Sequence, residues 1–130
     1  MFSRVTTALA IVLTASGGAH ATGAIDCTDP EGRASLELTL GSVPVLAVVR
    51  AVISADERQW ITATEGENAI AVGQAFRSDD EIRIDFTDLN VERIVAEVRL
   101  FSADEGRDHA TAGVLRIADV GVYPLVCIGP

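Results

Sequence analysis

Chemistry near neutral pH needs side chains that can shuttle protons, hold metals or attack an electrophile, and this chain offers few. Histidine occurs only at His20 and His109. His109 closes the run Asp104-Glu105-Gly106-Arg107-Asp108-His109, which gathers three carboxylates and an imidazole. Oxygen-rich loops bind Ca²⁺ and a carboxylate–imidazole mixture suits Zn²⁺, so Asp104, Glu105, Asp108 and His109 are the candidate metal ligands. Their spacing does not match an EF-hand, and no second histidine follows the leader segment to complete a nitrogen site. The competing interpretation is a solvated polar turn between strands, and it is the one preferred, with no metal or cofactor expected.

Nucleophilic catalysis is no better supplied. Ser35, Ser42, Ser54, Ser78 and Ser102 lie outside any G-x-S-x-G context. Their only candidate base is His109, with no orienting partner evident in the sequence. Paired carboxylates for sugar hydrolysis need a deep site, and a small aromatic-poor chain is a poor host for one. The cluster Asp79-Asp80-Glu81, with Arg83, Asp85 and Asp88 nearby, reads as charge pairing on a strand face. Trp60 is the one candidate binding anchor, since tryptophan is enriched at interaction hot spots; packing partly into the core is the alternative, and the favoured one. No enzyme is expected.

Cys27 and Cys127 are the only cysteines. A single pair has a single connectivity, and in an oxidising compartment it forms a disulfide. Closing a loop of roughly 100 residues contributes about 4.7 kcal/mol in the chain-entropy model. The pair is therefore read as a staple between the first and last strands. No C-x-x-C spacing suggests redox chemistry.

The elements that must position these residues begin after a leader. Arg4, the apolar run Val5–Ala15, and Ala19-His20-Ala21 have the form of a signal peptide with its cleavage site, which assigns 1–21 to export and 22–130 to one mature domain. The apolar run is too short to span a bilayer as a helix. Periplasmic or secreted localisation follows, with no membrane insertion after cleavage. The net charge of −9 becomes one unit more negative when Arg4 leaves. Such acidity disfavours nucleic acid and anionic lipid, and favours a basic partner if there is a protein partner at all.

Beyond the leader the pattern is period-two alternation broken by turns. Leu36, Leu38 and Leu40 alternate with polar residues. Val45–Ile53 is a nearly continuous apolar strand, Ala55-Asp56-Glu57 a turn, and Gln59–Thr64 a strand carrying Trp60. Ile70, Val72 and Phe76 fall on one face of the next strand, and Ile82, Ile84 and Phe86 on one face of the strand after it. Val91–Phe101 fits either a strand or an amphipathic helix capped by Asn90; its strand-like neighbours decide for strand. Val114–Ile117 and Val122–Cys127 form a closing hairpin around Asp119-Val120-Gly121, and Pro124 places its strand at an edge or bulge. The whole is all-β: one antiparallel β-sandwich or small β-barrel of about eight strands, its chain ends joined by one disulfide. A lipid-facing barrel would need aromatic girdles that this composition lacks.

Ala112-Gly113-Val114-Leu115-Arg116-Ile117 with Val122-Tyr123-Pro124-Leu125-Val126-Cys127 resembles the closing hairpin of small exported proteins of alphaproteobacteria. The layout of leader, early cysteine, strands and terminal cysteine also resembles the periplasmic inhibitors of C-type lysozyme. The inhibitory Ser-Gly-x-x-Tyr segment of that family has no counterpart, because the only tyrosine is Tyr123. The expectation is an exported, non-enzymatic binding or envelope-associated module. The alternatives are a lysozyme-inhibitor-like protein, or a metal-binding or catalytic domain built on Asp104–His109.

Overall fold

Alternating residues stay on one face only if each strand keeps its register with both neighbours, and here that condition closes the sheet on itself. The computed structural model describes residues 23–62 and 64–130; the leader read over 1–21 lies outside them. The strands are β1 (Gly23–Thr28), β2 (Ala34–Leu40), β3 (Val48–Ala55), β4 (Arg58–Thr62), β5 (Ala69–Arg77), β6 (Glu81–Thr87), β7 (Ile94–Glu105), β8 (Asp108–Ile117) and β9 (Gly121–Ile128). Each pairs with the next, and β9 pairs with β1, giving a closed barrel. The sheet is therefore a barrel rather than a sandwich. Its ninth strand is β1, where only Ile25 and Cys27 face inward.

An odd number of alternating strands cannot close with every pair antiparallel. The mismatch falls between β4 and β5, which run parallel through just Ile61↔Ala69 and Thr62↔Ile70. All other pairs are antiparallel.

The interior is filled by side chains. Leu36, Leu38, Ile53, Ile84, Phe86, Val98, Leu100, Leu115 and Leu125 are at most 1% exposed. Outward positions carry charge at Asp26, Glu37, Arg83, Asp85, Glu97, Arg99 and Arg116, interspersed with exposed apolar residues such as Phe101, Val114 and Val126. Val91–Phe101 resolves as strand from Ile94 onward, with Ala96, Val98 and Leu100 inward. Gly113 lets β8 press against β7: a Cβ there would lie 1.8 Å from the Arg99 carbonyl oxygen.

Two expectations need correction, and a third, the edge position of Pro124, holds locally. The strand read over Val45–Ile53 begins at Val48, because Gly41–Ala47 is a loop closed by the Gly41 N–H on the Ala47 carbonyl at 2.8 Å. Val43 and Val45 are exposed there. Phe76 does not share a face with Ile70. A bulge between Val72 and Gln74 shifts the register, so Phe76 lies opposite the outward Arg83 and is 55% exposed. Pro124 is at an edge only locally: β9 pairs with β8 on one side there, while β1 reaches no further along β9 than Val126.

The turns follow the chemistry of their residues. Asp56 and Glu57 both adopt positive φ, as a two-residue hairpin loop between Ala55 and Arg58 requires. In the β1–β2 turn, Asp29 is buried and its carboxylate accepts the Glu31 N–H at 3.0 Å and the Arg33 Nε–H at 2.7 Å. Arg33 in turn lies 5.6 Å from the Tyr123 ring centroid, a cation–π contact.

The barrel closes where β1 meets β9, through three residue pairs with Cys27↔Cys127 in the middle. The two cysteines form the disulfide the sequence implies, across a separation of 100 residues. Cys127→Ser is expected to lower stability by about 2–5 kcal/mol. In thermal melts its midpoint should match that of wild type measured in reductant, and an unchanged midpoint under oxidising conditions would refute the staple.

Asp29 generates a pH prediction. Burial pushes its carboxyl upward, but the Glu31 N–H and the Arg33 guanidinium outweigh that and hold it below the ordinary carboxylate value. Its contribution to stability is therefore complete above the unfolded-state value of about 3.9 and is lost as pH falls through the lower folded value. Asp29→Asn should reduce the urea midpoint at pH 7, and the gap from wild type should narrow as pH falls below the unfolded-state value of about 3.9. A gap that stays constant across this range would contradict the assignment.

Candidate functional site

The β7–β8 hairpin outruns its neighbours. β6 begins at Glu81, opposite Phe101, and the last β9 residue paired to β8 is Cys127, opposite Thr111. Past that level the two strands continue to a tight turn at Gly106-Arg107, with Gly106 at φ 61°. The inward column of each strand continues too, but its chemistry changes at the rim. Ala96, Val98 and Leu100 give way to Ser102 and Asp104 on β7, and Leu115 and Gly113 to Thr111 and His109 on β8.

Register makes Ser102↔Thr111 and Asp104↔His109 direct cross-strand pairs. Their side chains form one hydrogen-bonded ladder. His109 Nδ1 meets Asp104 Oδ1, His109 Nε2 lies 3.0 Å from Thr111 Oγ1, and Thr111 Oγ1 lies 2.8 Å from Ser102 Oγ. An ionised carboxylate only accepts, so the neutral imidazole carries its proton on Nδ1; Nε2 then accepts the Thr111 hydroxyl, and Thr111 accepts that of Ser102. The Ser102 N–H donates to the Asp80 carbonyl at 2.9 Å, fastening the hairpin to the β5–β6 turn. The resulting recess, about 270 Å³, is lined by Arg77, Asp80, Ser102, His109, Thr111 and Pro130 among others.

Of the four candidate metal ligands, the structure brings only Asp104 and His109 together. Glu105 and Asp108 pair with each other at the next ladder position, where alternation turns them to the opposite face. Among the described residues, no three His, Cys, Asp or Glu side chains converge to hold a metal. Most of the run is hairpin strand rather than loop; the turn itself is Gly106-Arg107.

Trp60 faces inward opposite Ile53 and is 6% exposed, with the Arg58 guanidinium 5.0 Å from its ring centroid. It belongs to the core cluster instead of presenting an anchor. Of the acidic cluster read as charge pairing, Asp85 pairs with Arg99 at 2.8 Å and Glu81 with Arg83 at 3.2 Å, whereas Asp79, Asp80 and Asp88 have no ion-pair partner among the described residues; Glu97 adds a pair with Arg116 at 2.6 Å. Ser102 and Thr111 are the residues the sequence did not single out. The available signal was the period-two column running on from Leu100 and Leu115, which carries them to the same face as His109.

The ladder makes a spectroscopic prediction. Nitrogen-15 NMR of the neutral His109 ring is expected to show a protonated Nδ1 and a bare Nε2. Thr111→Val removes a buried hydroxyl with two partners, and a stability loss of roughly 1–3 kcal/mol is expected in urea unfolding. The opposite tautomer, with an unchanged urea midpoint, would dissolve the ladder.

Compared with known protein families, curated proteins and solved structures, the chain matches none.

Proposed function

We propose that the protein is an exported binding module, without catalysis of its own, that takes a basic protein at the hairpin end of the barrel. The observation that carries this reading is where charge is left uncompensated. On the outer wall of β6–β8, Arg83, Arg99 and Arg116 are each engaged by a carboxylate. At the hairpin end Asp79, Asp80, Glu105 and Asp108 have no ion-pair partner among the described residues, and they outnumber the two arginines there, Arg77 in the recess and Arg107 in the hairpin turn. Like charges held close together raise the local potential and favour a cationic partner, most strongly at low salt.

The filled interior supports recognition at an end or on the wall over capture inside a lumen. One feature supports binding over catalysis at His109: Asp104, His109 and Thr111 stand in the order carboxylate, imidazole, hydroxyl, but that hydroxyl also bonds Ser102 and belongs to a residue only 5% exposed. The disulfide suits an oxidising compartment, which supports the periplasm or the cell exterior as the location of the module.

The test uses the mature chain and a C-type lysozyme as the basic probe, titrated by calorimetry. Binding is expected in about 20 mM salt and should weaken at least tenfold by about 300 mM, as screening of exposed charges requires. Replacing Asp79, Asp80 and Asp108 by Asn should weaken it by a similar factor while leaving the melting temperature within a few degrees. Salt-independent binding, or none, would reject the reading. A lysis assay on the same samples separates simple capture from lysozyme inhibition.

A further inference from the structure

Where one face of a strand meets water, its outward positions are usually polar, and two strands of this wall show the rule plainly. β2 turns Ser35, Glu37 and Thr39 outward, and β6 turns Glu81, Arg83 and Asp85 outward. β9 departs from it. Tyr123, Leu125 and Cys127 face the interior, while the alternate positions Val122, Pro124, Val126 and Ile128 are all apolar and all exposed. A strand apolar on both faces has the composition of one covered on both.

The neighbouring strands extend that face. The β7–β8 and β8–β9 ladders run without a register shift, so alternation keeps each outward column on one side. Phe101, Ala112 and Val126 stand directly opposite one another across the three strands. Val114 and Pro124 pair in the next outward row, and Ala103 and Ala110 in the row on the other side. Phe101 is 57% exposed, Val122 60% and Ile128 80%. Charge returns only at the borders, with Asp26 opposite Ile128 on one flank and Arg99 and Arg116 on the other. The face exposes on the order of 600 Å² of apolar surface, at the top of the range a monomer shows alone and approaching the roughly 800 Å² that each partner of a stable complex buries.

Shape, composition and charge all fit a second copy of the chain. The outer wall of a barrel is convex, so this face suits another surface over a small ligand, which needs a cleft. Its side chains carry neither charge nor a hydrogen-bonding group, the make-up of the core of a homodimer interface; other interfaces are about as polar as protein surface in general. In a chain of net charge −9, two copies meeting here bring no carboxylates together at the centre of the contact.

We propose that the outer face of β7–β9 is a self-association surface, on which two copies of this chain pack sheet against sheet across a two-fold axis. Phe101 and the valines of one copy interdigitate with those of the other at the spacing of stacked sheets, about 10 Å. The recess at the hairpin end is lined from the inward columns of β7 and β8 and is not part of this face, so either site can fail without the other.

The test is sedimentation equilibrium of the mature chain from about 1 to 300 μM, with thermal melts of the same samples. A dimer with a dissociation constant on the order of 10 μM or tighter is expected, with a melting midpoint that rises with protein concentration. Raising salt from about 20 to 300 mM should leave the dimer unchanged or tighten it, because screening relieves repulsion between two acidic chains. That trend is opposite to the one expected at the hairpin end. Val114→Glu and Val126→Glu, both at positions exposed in the single chain, should each weaken the dimer at least about a hundredfold while keeping the melting midpoint of the dilute chain within a few degrees. Val45→Glu, at an exposed valine of the Gly41–Ala47 loop, should leave the dimer unchanged. A chain monomeric to about 300 μM, a dimer indifferent to both glutamates, or one that dissociates as salt rises overturns the proposal. A monomer that floats with neutral phosphatidylcholine vesicles also overturns it, since the occupant would then be lipid.

Discussion

The closure of β1 on β9 is the constraint on which the rest of the structure depends. Three residue pairs make this seam, fewer than at any antiparallel junction within the meander, and a covalent bond stands at its centre. Closing a sheet brings together segments at opposite ends of the chain, and the entropy of that closure must be overcome before any pairing energy is gained. Once Cys27 and Cys127 are joined, the two ends are held in register whether or not the short ladder around them is strong. The disulfide thus makes a three-pair seam sufficient, and it fixes which residues face inward: Ile25 and Cys27 on one side, Leu125 and Cys127 on the other.

A second constraint follows from counting strands. With nine, one junction must be parallel, and parallel neighbours cannot be joined by a two-residue turn. The chain places this cost at β4–β5, using the segment between Thr62 and Ala69 to return and restart in the same direction, and the result is the weakest non-covalent junction in the wall. The two weak seams are handled differently. The one at β1–β9 is locked by sulfur, and the one at β4–β5 is left partly open, with a buried threonine hydroxyl as its last tie to β3. Local opening takes place where few buried contacts and few ladder bonds hold neighbours together, and with two residue pairs the β4–β5 seam has the fewest of any junction in the barrel.

Much of this was legible in the residues. Leu36-x-Leu38-x-Leu40 and Ile82-x-Ile84-x-Phe86 name their inward faces because both strands keep simple registers through most of their length. The staple was legible because two cysteines allow one pairing. Phe76 was misplaced because a bulge leaves no mark in composition other than a glycine, and Gly73 is also what lets the backbone approach Thr87, where a Cβ would lie 2.7 Å from its Cγ2. The parity of the barrel could not be read, since it depends on the number of strands and β1 carries only two inward apolar residues. The ladder at His109 was hidden for a related reason. Asp104 and His109 stood out as residue types, but their partners Thr111 and Ser102 are ordinary until the β7–β8 register sets them opposite one another.

Charge is arranged by the same register. Surface ion pairs contribute little to stability, with a median of about 0–1 kcal/mol each, so the Asp85–Arg99 and Glu97–Arg116 pairs do not hold the wall together. Their consequence is positional. The register sets Arg83 opposite Arg99 and Asp85 opposite Glu97, so the Asp85–Arg99 pair is diagonal, while Arg116 stands directly opposite Glu97; together these contacts balance charge on the outer face of β6–β8, and the protein's excess of acid is expressed at its ends and turns instead. The one extension beyond the barrel rim, the β7–β8 hairpin, carries Asp104, Glu105 and Asp108 into that unbalanced region while its inward column turns from aliphatic to hydrogen-bonding. A continuous alternation thus serves two solvents in turn: apolar where neighbouring strands exclude water, polar where they stop. The rim of the barrel, rather than any change in backbone geometry, divides core from candidate site.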